Sequence, residues 1–126
     1  MDFPESLVFD RIGDDGFSRL IAAFYRRVPL DDILGPMYHG QDLAEAEWRL
    51  REFLVGRFGG LTRYIESRGH PRLRMRHHPF KIDQRARDRW IELMSAAMDE
   101  VSLPTDAAKV LRNFFESTAT FLINRA

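Results

Sequence analysis

Cysteine is absent from the 126 residues of this chain. Its absence excludes disulfide bonds and thiolate metal ligands and is compatible with a reducing cytoplasm. No apolar run approaches the length that a membrane span requires. The first residues, Met1-Asp2-Phe3-Pro4-Glu5, lack the positive and apolar regions of a signal peptide. We therefore expect a cytoplasmic protein with no membrane span.

An excess of charge of either sign is also lacking. Lys and Arg number 19, Asp and Glu number 19, and the formal net charge is zero. This balance gives no indication of a nucleic-acid partner, because proteins that bind nucleic acids usually carry an excess of basic residues that attract the phosphate groups. The length fits one domain, so we expect residues 1–126 to form a single unit.

Aromatic residues, in contrast, are plentiful, with 10 Phe, 3 Tyr and 2 Trp. On composition alone they predict a core rich in phenylalanine. Apolar residues recur at helical spacing, and no segment alternates as a β-strand does. We therefore predict an all-α fold with four main helices around one core. The first helix is expected to begin after the break Gly13-Asp14-Asp15-Gly16 and to end at Pro29. The second is expected to begin at Asp42 and to end at Gly59-Gly60. The third should cover residues 84–101 after the cap Asp83, and the last should end near Ile123.

One stretch, residues 69–82, concentrates the side chains that could carry chemistry. It holds three of the four histidines, four cations and two prolines. Pro79 biases His78 away from helical geometry, so a turn of helix there is expected to end near His77. A histidine in this position can bind a metal through one ring nitrogen, or it can be a surface residue beside a basic run.

Zinc is the first metal to consider, because His70, His77 and His78 lie within nine residues. The chain has no cysteine to join them, and no two of these histidines have the i, i+4 spacing of one helix face. Consecutive helical residues also point about 100° apart, so His77 and His78 cannot both face one ion. These spacings disfavour a zinc site.

The segment Gly69-His70-Pro71-Arg72-Leu73-Arg74-Met75-Arg76-His77 resembles the proximal haem-binding segment of the group II truncated haemoglobins. In that family the last histidine of the segment is the axial ligand to haem iron. The resemblance therefore implies haem b as cofactor and His77 as the metal ligand. It extends over most of the chain and implies the family's fold, a two-over-two helical sandwich. The other matching pieces, in the family's order, are Phe24-Tyr25, Met37-Tyr38, Ala46 with Arg49-Leu50, Gly59-Gly60 and Arg87-Asp88-Arg89-Trp90.

The resemblance puts Tyr25, Tyr38 and Trp90 on the distal side of the haem, opposite the axial histidine. Tyr25 and Trp90 would donate hydrogen bonds to a bound diatomic ligand, and Tyr38 would join the same network. Each of these side chains combines an apolar ring with a polar tip. The alternative interpretation is that all three are core residues whose tips bond to backbone carbonyls.

The apolar lining of the haem pocket is implied on the same basis. Ala46 stands where larger-chambered globins carry a distal histidine, so its small side chain would leave a lateral opening for ligands. Leu50, one turn later, would press on the ligand side of the haem. The walls would come from residues that otherwise are ordinary core residues, namely Phe24, Phe53, Leu54, Met75, Phe80 and Met94.

The two propionates of haem need cationic or hydrogen-bonding partners at the mouth of the pocket. Arg68 and Arg76, with Tyr64, are the partners indicated by the resemblance and by their nearness to His77 in sequence. The alternative is that the arginines of this region form a solvated charge cluster.

The implied function is reversible binding of oxygen and other diatomic ligands by a haem-b globin. A polar distal pocket also permits redox chemistry, such as peroxide reduction or the conversion of nitric oxide by bound oxygen, served by an unidentified reductase. The sequence leaves open whether the chain is an enzyme. The alternative from another class is a cofactor-free helical interaction domain whose aromatic residues all belong to the core.

Overall fold

The structure is a computed structural model that describes residues 3–60 and 82–124. Within these ranges the chain is helical and contains no strand. Two short 3-10 helices, Glu5–Leu7 and Val28–Leu30, precede and follow the first long helix. The α-helices are α1 (Val8–Arg27), α2 (Leu34–Met37), α3 (Leu43–Arg57), α4 (Gln84–Val101) and α5 (Thr105–Phe121).

Helix α1 is kinked at Gly13, whose φ of 73° departs from helical geometry. The predicted break in Gly13-Asp14-Asp15-Gly16 is therefore present as a kink inside one long helix. After the kink, the predicted apolar stripe is buried along its whole length. The helix ends at Arg27, just before the 3-10 turn that contains Pro29. The stripe consists of Phe17, Leu20, Ile21, Phe24, Tyr25 and Val28.

Aspartate caps begin both α3 and α4, as the sequence predicted. A carboxylate oxygen of Asp42 accepts a hydrogen bond from the Glu45 amide at 3.2 Å. Asp83 does the same for Ala86 at 2.8 Å. Each bond satisfies an amide that has no partner within its helix, which fixes where the helix starts.

The end of α3 is held against the start of the chain. Phe58 follows the helix, and its carbonyl accepts a hydrogen bond from the Phe9 amide at 2.9 Å. Gly59 has a φ of 103°, and a Cβ there would lie 2.1 Å from the carbonyl oxygen of Ser6. Only glycine allows both this conformation and this close approach. The predicted stop at Gly59-Gly60 is confirmed.

The long helices pack in two connected pairs around one core. Helix α1 packs against α3 and also against α4, and α4 packs against α5. Phenylalanines are prominent among the fully buried side chains, including Phe17, Phe24 and Phe58. Helix α5 ends at Phe121, two residues before the predicted Ile123. Among the described residues, no helix combines the length and the apolar character that crossing a membrane requires.

Candidate functional site

Three side chains from three different elements meet at one place. Tyr25 belongs to α1, Tyr38 follows α2 directly, and Trp90 belongs to the first half of α4. The rings of Tyr25 and Tyr38 lie 5.9 Å apart between centroids and are nearly perpendicular, at 88°. We call Tyr25, Tyr38 and Trp90 the polar triad.

The polar tips of the triad lie near one another. Burial apart, hydrogen bonding with Tyr38 contributes to the raised pKa of Tyr25, and hydrogen bonding with Tyr25 and with the Trp90 indole lowers the pKa of Tyr38. Because an indole N–H can only donate, the Tyr38 oxygen accepts from Trp90. Tyr38 is therefore the node of the network.

Both phenols of the triad keep their protons at neutral pH. Burial, and then the neighbouring Tyr38 hydroxyl, raise the pKa of Tyr25 well above its usual value of 10.0. Burial also raises the pKa of Tyr38, although its bond with Tyr25 and the charge of Arg49 act in the opposite direction. Neutral phenols are hydrogen-bond donors, so the triad offers O–H and N–H groups and no anion.

The two phenols carry two hydroxyl hydrogens, and the bond between them uses one. Because the indole donates to Tyr38, one phenol hydrogen remains for a further acceptor, and bonds in a connected chain strengthen one another.

The rings around the triad are packed by other aromatic side chains. The Phe24 ring lies 5.0 Å from that of Tyr25 and 5.0 Å from that of Trp90. Phe115 of α5 contacts Trp90 from another side, at 5.4 Å. These contacts hold the indole in place independently of its hydrogen bond.

Helix α3 supplies four of the apolar residues that were predicted for the pocket. Ala46 and Leu54 are buried, at 6% and 0% exposure. Leu50 and Phe53 pack against the core but stay half-buried. Arg49 and Glu47 are close enough to affect the pKa of Tyr25, which puts the first half of α3 beside the triad.

An ion pair that the sequence analysis did not identify lies next to the triad. Arg89, the residue before Trp90, donates to Asp31 at 2.6 Å, and Asp31 precedes the short helix α2 that leads to Tyr38. Asp31 lies two and three residues before Ile33 and Leu34, and an aspartate so close to the amides of a turn is a local signal that the sequence shows. Its other partner, Arg89, is 58 positions away in sequence, so only the structure reveals that ion pair.

The predicted proximal side lies outside the described residues. This holds for His77, Arg76, Arg68, Tyr64 and Phe80, which therefore stay predictions. It also holds for Met75 of the predicted pocket wall and for His70 and His78 of the zinc alternative. In residues 3–60 and 82–124, no three histidine or carboxylate side chains come together in a way that could hold a metal ion.

Comparison with known proteins gives a consistent result. A family model described as bacterial-like globin matches residues 7–124. The group 2 truncated haemoglobin YjbI of Bacillus subtilis (strain 168) is 36% identical over 117 residues, which cover 93% of this chain and 88% of that protein.

Solved structures extend the likeness to three dimensions. A thermostable haemoglobin from the actinobacterium Thermobifida fusca aligns with a TM-score of 0.88 and 42% identity, over 93% of this chain and 96% of that chain. The group II truncated haemoglobin from Bacillus anthracis aligns with a TM-score of 0.90 and 30% identity, over 98% and 95%. These alignments confirm the predicted two-over-two helical sandwich.

Proposed function

Because the chain belongs to the bacterial-like globin family, and within it to the group II truncated haemoglobins, we propose that it binds one haem b non-covalently and binds oxygen reversibly. Membership of a globin family implies a haem cofactor and oxygen binding in general. The type of haem, the residues that hold it and the range of ligands are the content of the proposal. We also propose that residues 1–126 form one globin domain, which the match over residues 7–124 supports.

The polar triad is the observation that carries this proposal. The bonds within the triad leave one phenol hydrogen over, and a buried donor costs free energy unless it is paired. A small ligand that becomes partly negative when bound is the kind of acceptor that this hydrogen can serve. The donor set therefore fits the distal side of a haem that binds oxygen.

The apolar residues of α3 fit the same group. Leu50 and Phe53 are half-buried although they belong to the most apolar part of the helix. A flat apolar ring system would cover such side chains and remove their remaining surface from water. Ala46, whose side chain is one methyl group, would leave room for a diatomic ligand to enter beside it.

On the proximal side we propose that His77 binds the iron through one ring nitrogen. Arg68, Arg76 and Tyr64 would bind the propionates, and Phe80 would pack against the ring. His77 and Arg76 are supported by the matching segment Gly69–His77, and the other three residues by the wider resemblance and by their nearness to His77 in sequence.

A bound haem would supply iron that binds oxygen, carbon monoxide or nitric oxide. Tyr38 would donate a hydrogen bond through its hydroxyl to the bound molecule, and Tyr25 would support Tyr38 through their mutual hydrogen bond. Trp90 would either keep its bond to Tyr38 or turn its N–H to the bound molecule, and both arrangements favour a ligand that accumulates negative charge.

The same donors suit a further reaction of the family, in which peroxide is reduced or nitric oxide is converted by bound oxygen. Such a reaction needs electrons, so it requires a reductase whose identity the chain does not specify. The triad would contribute protonated groups beside the ligand in either case.

The experiment that tests the proposal is an absorption spectrum of the purified protein in its ferric, ferrous and carbonyl forms. We expect a red protein with a strong Soret band that shifts on reduction and again on addition of carbon monoxide. A protein that stays colourless after haem is supplied would contradict the proposal and favour the cofactor-free helical domain.

A further inference from the structure

We infer that Arg89 and Asp31 form a clamp that positions Tyr38 against Trp90, and so sets how tightly the pocket holds oxygen. The inference rests on the proposed function and concerns residues that do not themselves touch the ligand. We call this pair the Arg89–Asp31 clamp.

Asp31 is the fixed point of the clamp. Its Oδ2 accepts hydrogen bonds from the amides of Ile33 at 3.0 Å and Leu34 at 2.8 Å. Its Oδ1 accepts from the guanidinium Nη1 of Arg89 at 2.6 Å. Only 7% of the Asp31 side chain is exposed, so water competes little for these bonds.

From Asp31 the restraint passes directly to Tyr38. The two bonded amides belong to the start of α2, a helix of only four residues. At the other end of that helix, the Tyr38 amide bonds to the carbonyls of Leu34 and Gly35, at 3.3 and 3.1 Å. A carboxylate that holds the first turn therefore restrains Tyr38, because one hydrogen-bonded helical turn joins them.

From Arg89 the restraint passes to Trp90 through one peptide bond, since the two residues are neighbours in α4. The indole of Trp90 then bonds to the hydroxyl of Tyr38. The contacts thus form a closed ring, which runs from Arg89 to Asp31, through α2 to Tyr38, and back through Trp90 to its neighbour Arg89. Opening it at the ion pair would free α2 to move relative to α4.

The other ion pairs of Arg89 are poor substitutes for Asp31. Arg89 also contacts Asp32 at 2.7 Å and Glu92 at 3.3 Å, but the side chains of these residues are 76% and 69% exposed. Ion pairs so exposed to water contribute little and are easily exchanged. Neither residue bonds to the amides that start α2 in the way that Asp31 does. The positioning effect is therefore assigned to Asp31.

The test uses Arg89→Met, which keeps an unbranched side chain of similar apolar stem and removes the charge and the donors. We expect oxygen release to accelerate about three- to tenfold, the change that weakening one hydrogen bond to the ligand produces. Carbon monoxide release and the absorption spectrum should stay as in the parent protein. Arg89→Lys, which restores the charge, should recover most of the slow release.

Arg112→Met is the matched control. It breaks an ion pair of similar length, Arg112 with Asp99 at 3.0 Å, which joins α5 to the far end of α4. It should leave oxygen release unchanged. If Arg89→Met prevents folding, Asp31→Asn replaces it, because asparagine keeps an oxygen for the α2 amides and loses the charge that attracts Arg89.

A double variant separates positioning from general loosening. In a Tyr38→Phe background the hydroxyl that the clamp positions is gone, so adding Arg89→Met should change oxygen release less than about twofold. An equal effect in both backgrounds, or an equal effect of Arg112→Met, overturns the inference.

The inference remains testable if the parent protein binds no haem, which would refute only the proposed function. Urea unfolding would then be measured for the parent protein, Arg89→Met, Tyr38→Phe and the double variant. The losses in free energy of unfolding from the two single changes should not add up in the double variant. Additive losses of stability would mean that the clamp and the Tyr38 hydroxyl are independent.

Discussion

Replacement of Trp90 by phenylalanine tests whether the pocket favours oxygen by electrostatics or by shape. Phenylalanine keeps an aromatic ring for the contacts with Phe24 and Phe115. In the parent protein the ring centroids of these two residues lie 5.0 and 5.4 Å from that of Trp90. It removes the indole N–H, the only hydrogen-bonding group of the side chain. The change is therefore close to the loss of a single donor.

The size of the effect follows from what the indole does before the ligand arrives. A hydrogen bond to a charged acceptor contributes about 1.5–3 kcal/mol, and one between neutral groups about 0.5–1.5 kcal/mol. In this structure the N–H is already bonded to Tyr38, so turning to the ligand gains only the difference, about 1–1.5 kcal/mol. Oxygen release should accordingly accelerate about five- to 12-fold in Trp90→Phe.

Stopped-flow displacement of oxygen and of carbon monoxide from the parent protein and from Trp90→Phe measures both rates. Carbon monoxide carries little negative charge when bound, so its release should change far less. Equal acceleration for the two gases would show that the indole acts by packing. Acceleration of oxygen release by more than about 100-fold would show that the indole has no competing partner before the ligand binds.

Three further changes probe entry, ionisation and the backbone. Ala46→Phe should slow carbon monoxide association by closing the lateral opening while the spectrum of the haem stays the same, and unchanged flash-photolysis rates would mean that ligands enter elsewhere. Burial alone would raise the pKa of Asp31, but hydrogen bonds from the Leu34 amide and from Arg89 lower it below its usual value of 3.8. A lowered folded-state pKa stabilises the fold above that value and loses the stabilisation as the pH falls, so Asp31→Asn should flatten the acid limb of stability against pH; an unchanged limb would contradict this. Gly59→Ala should cost about 1 kcal/mol or more in urea unfolding, because its Cβ would lie 2.1 Å from the Ser6 oxygen, and a smaller loss would mean that this junction relaxes.

The helices were predictable because their signals are local. Asp42 and Asp83 cap helices through bonds that reach only three residues along the chain. Proline and glycine end helices for reasons that lie in their own geometry. The buried face of α3 was harder to predict. A helical period of apolar residues gives no reason to expect a buried carboxylate, yet Glu52 is buried, at 4% exposure.

The site was predictable only in part, because its bonds join distant parts of the chain. Resemblance named Tyr25, Tyr38 and Trp90, and the structure brings the three together. It could not name Tyr38 as the node, because that depends on which polar groups meet in the folded chain. The Arg89–Asp31 clamp was missed for the same reason. Neither Arg89 nor Asp31 has sequence neighbours that indicate the other as a partner. The two form a pair only because α4 packs beside α2 in the folded chain.

The measurement that tests the account most directly is the haem content of two neighbouring histidine variants, His77→Ala and His78→Ala, with their melting temperatures. We expect His77→Ala to lose haem or to bind it weakly, and to melt earlier, because a cofactor that binds only the folded chain stabilises it. His78→Ala should keep one haem per chain and the parent spectrum. Loss of haem from His78→Ala with retention in His77→Ala would contradict the assignment of the iron ligand.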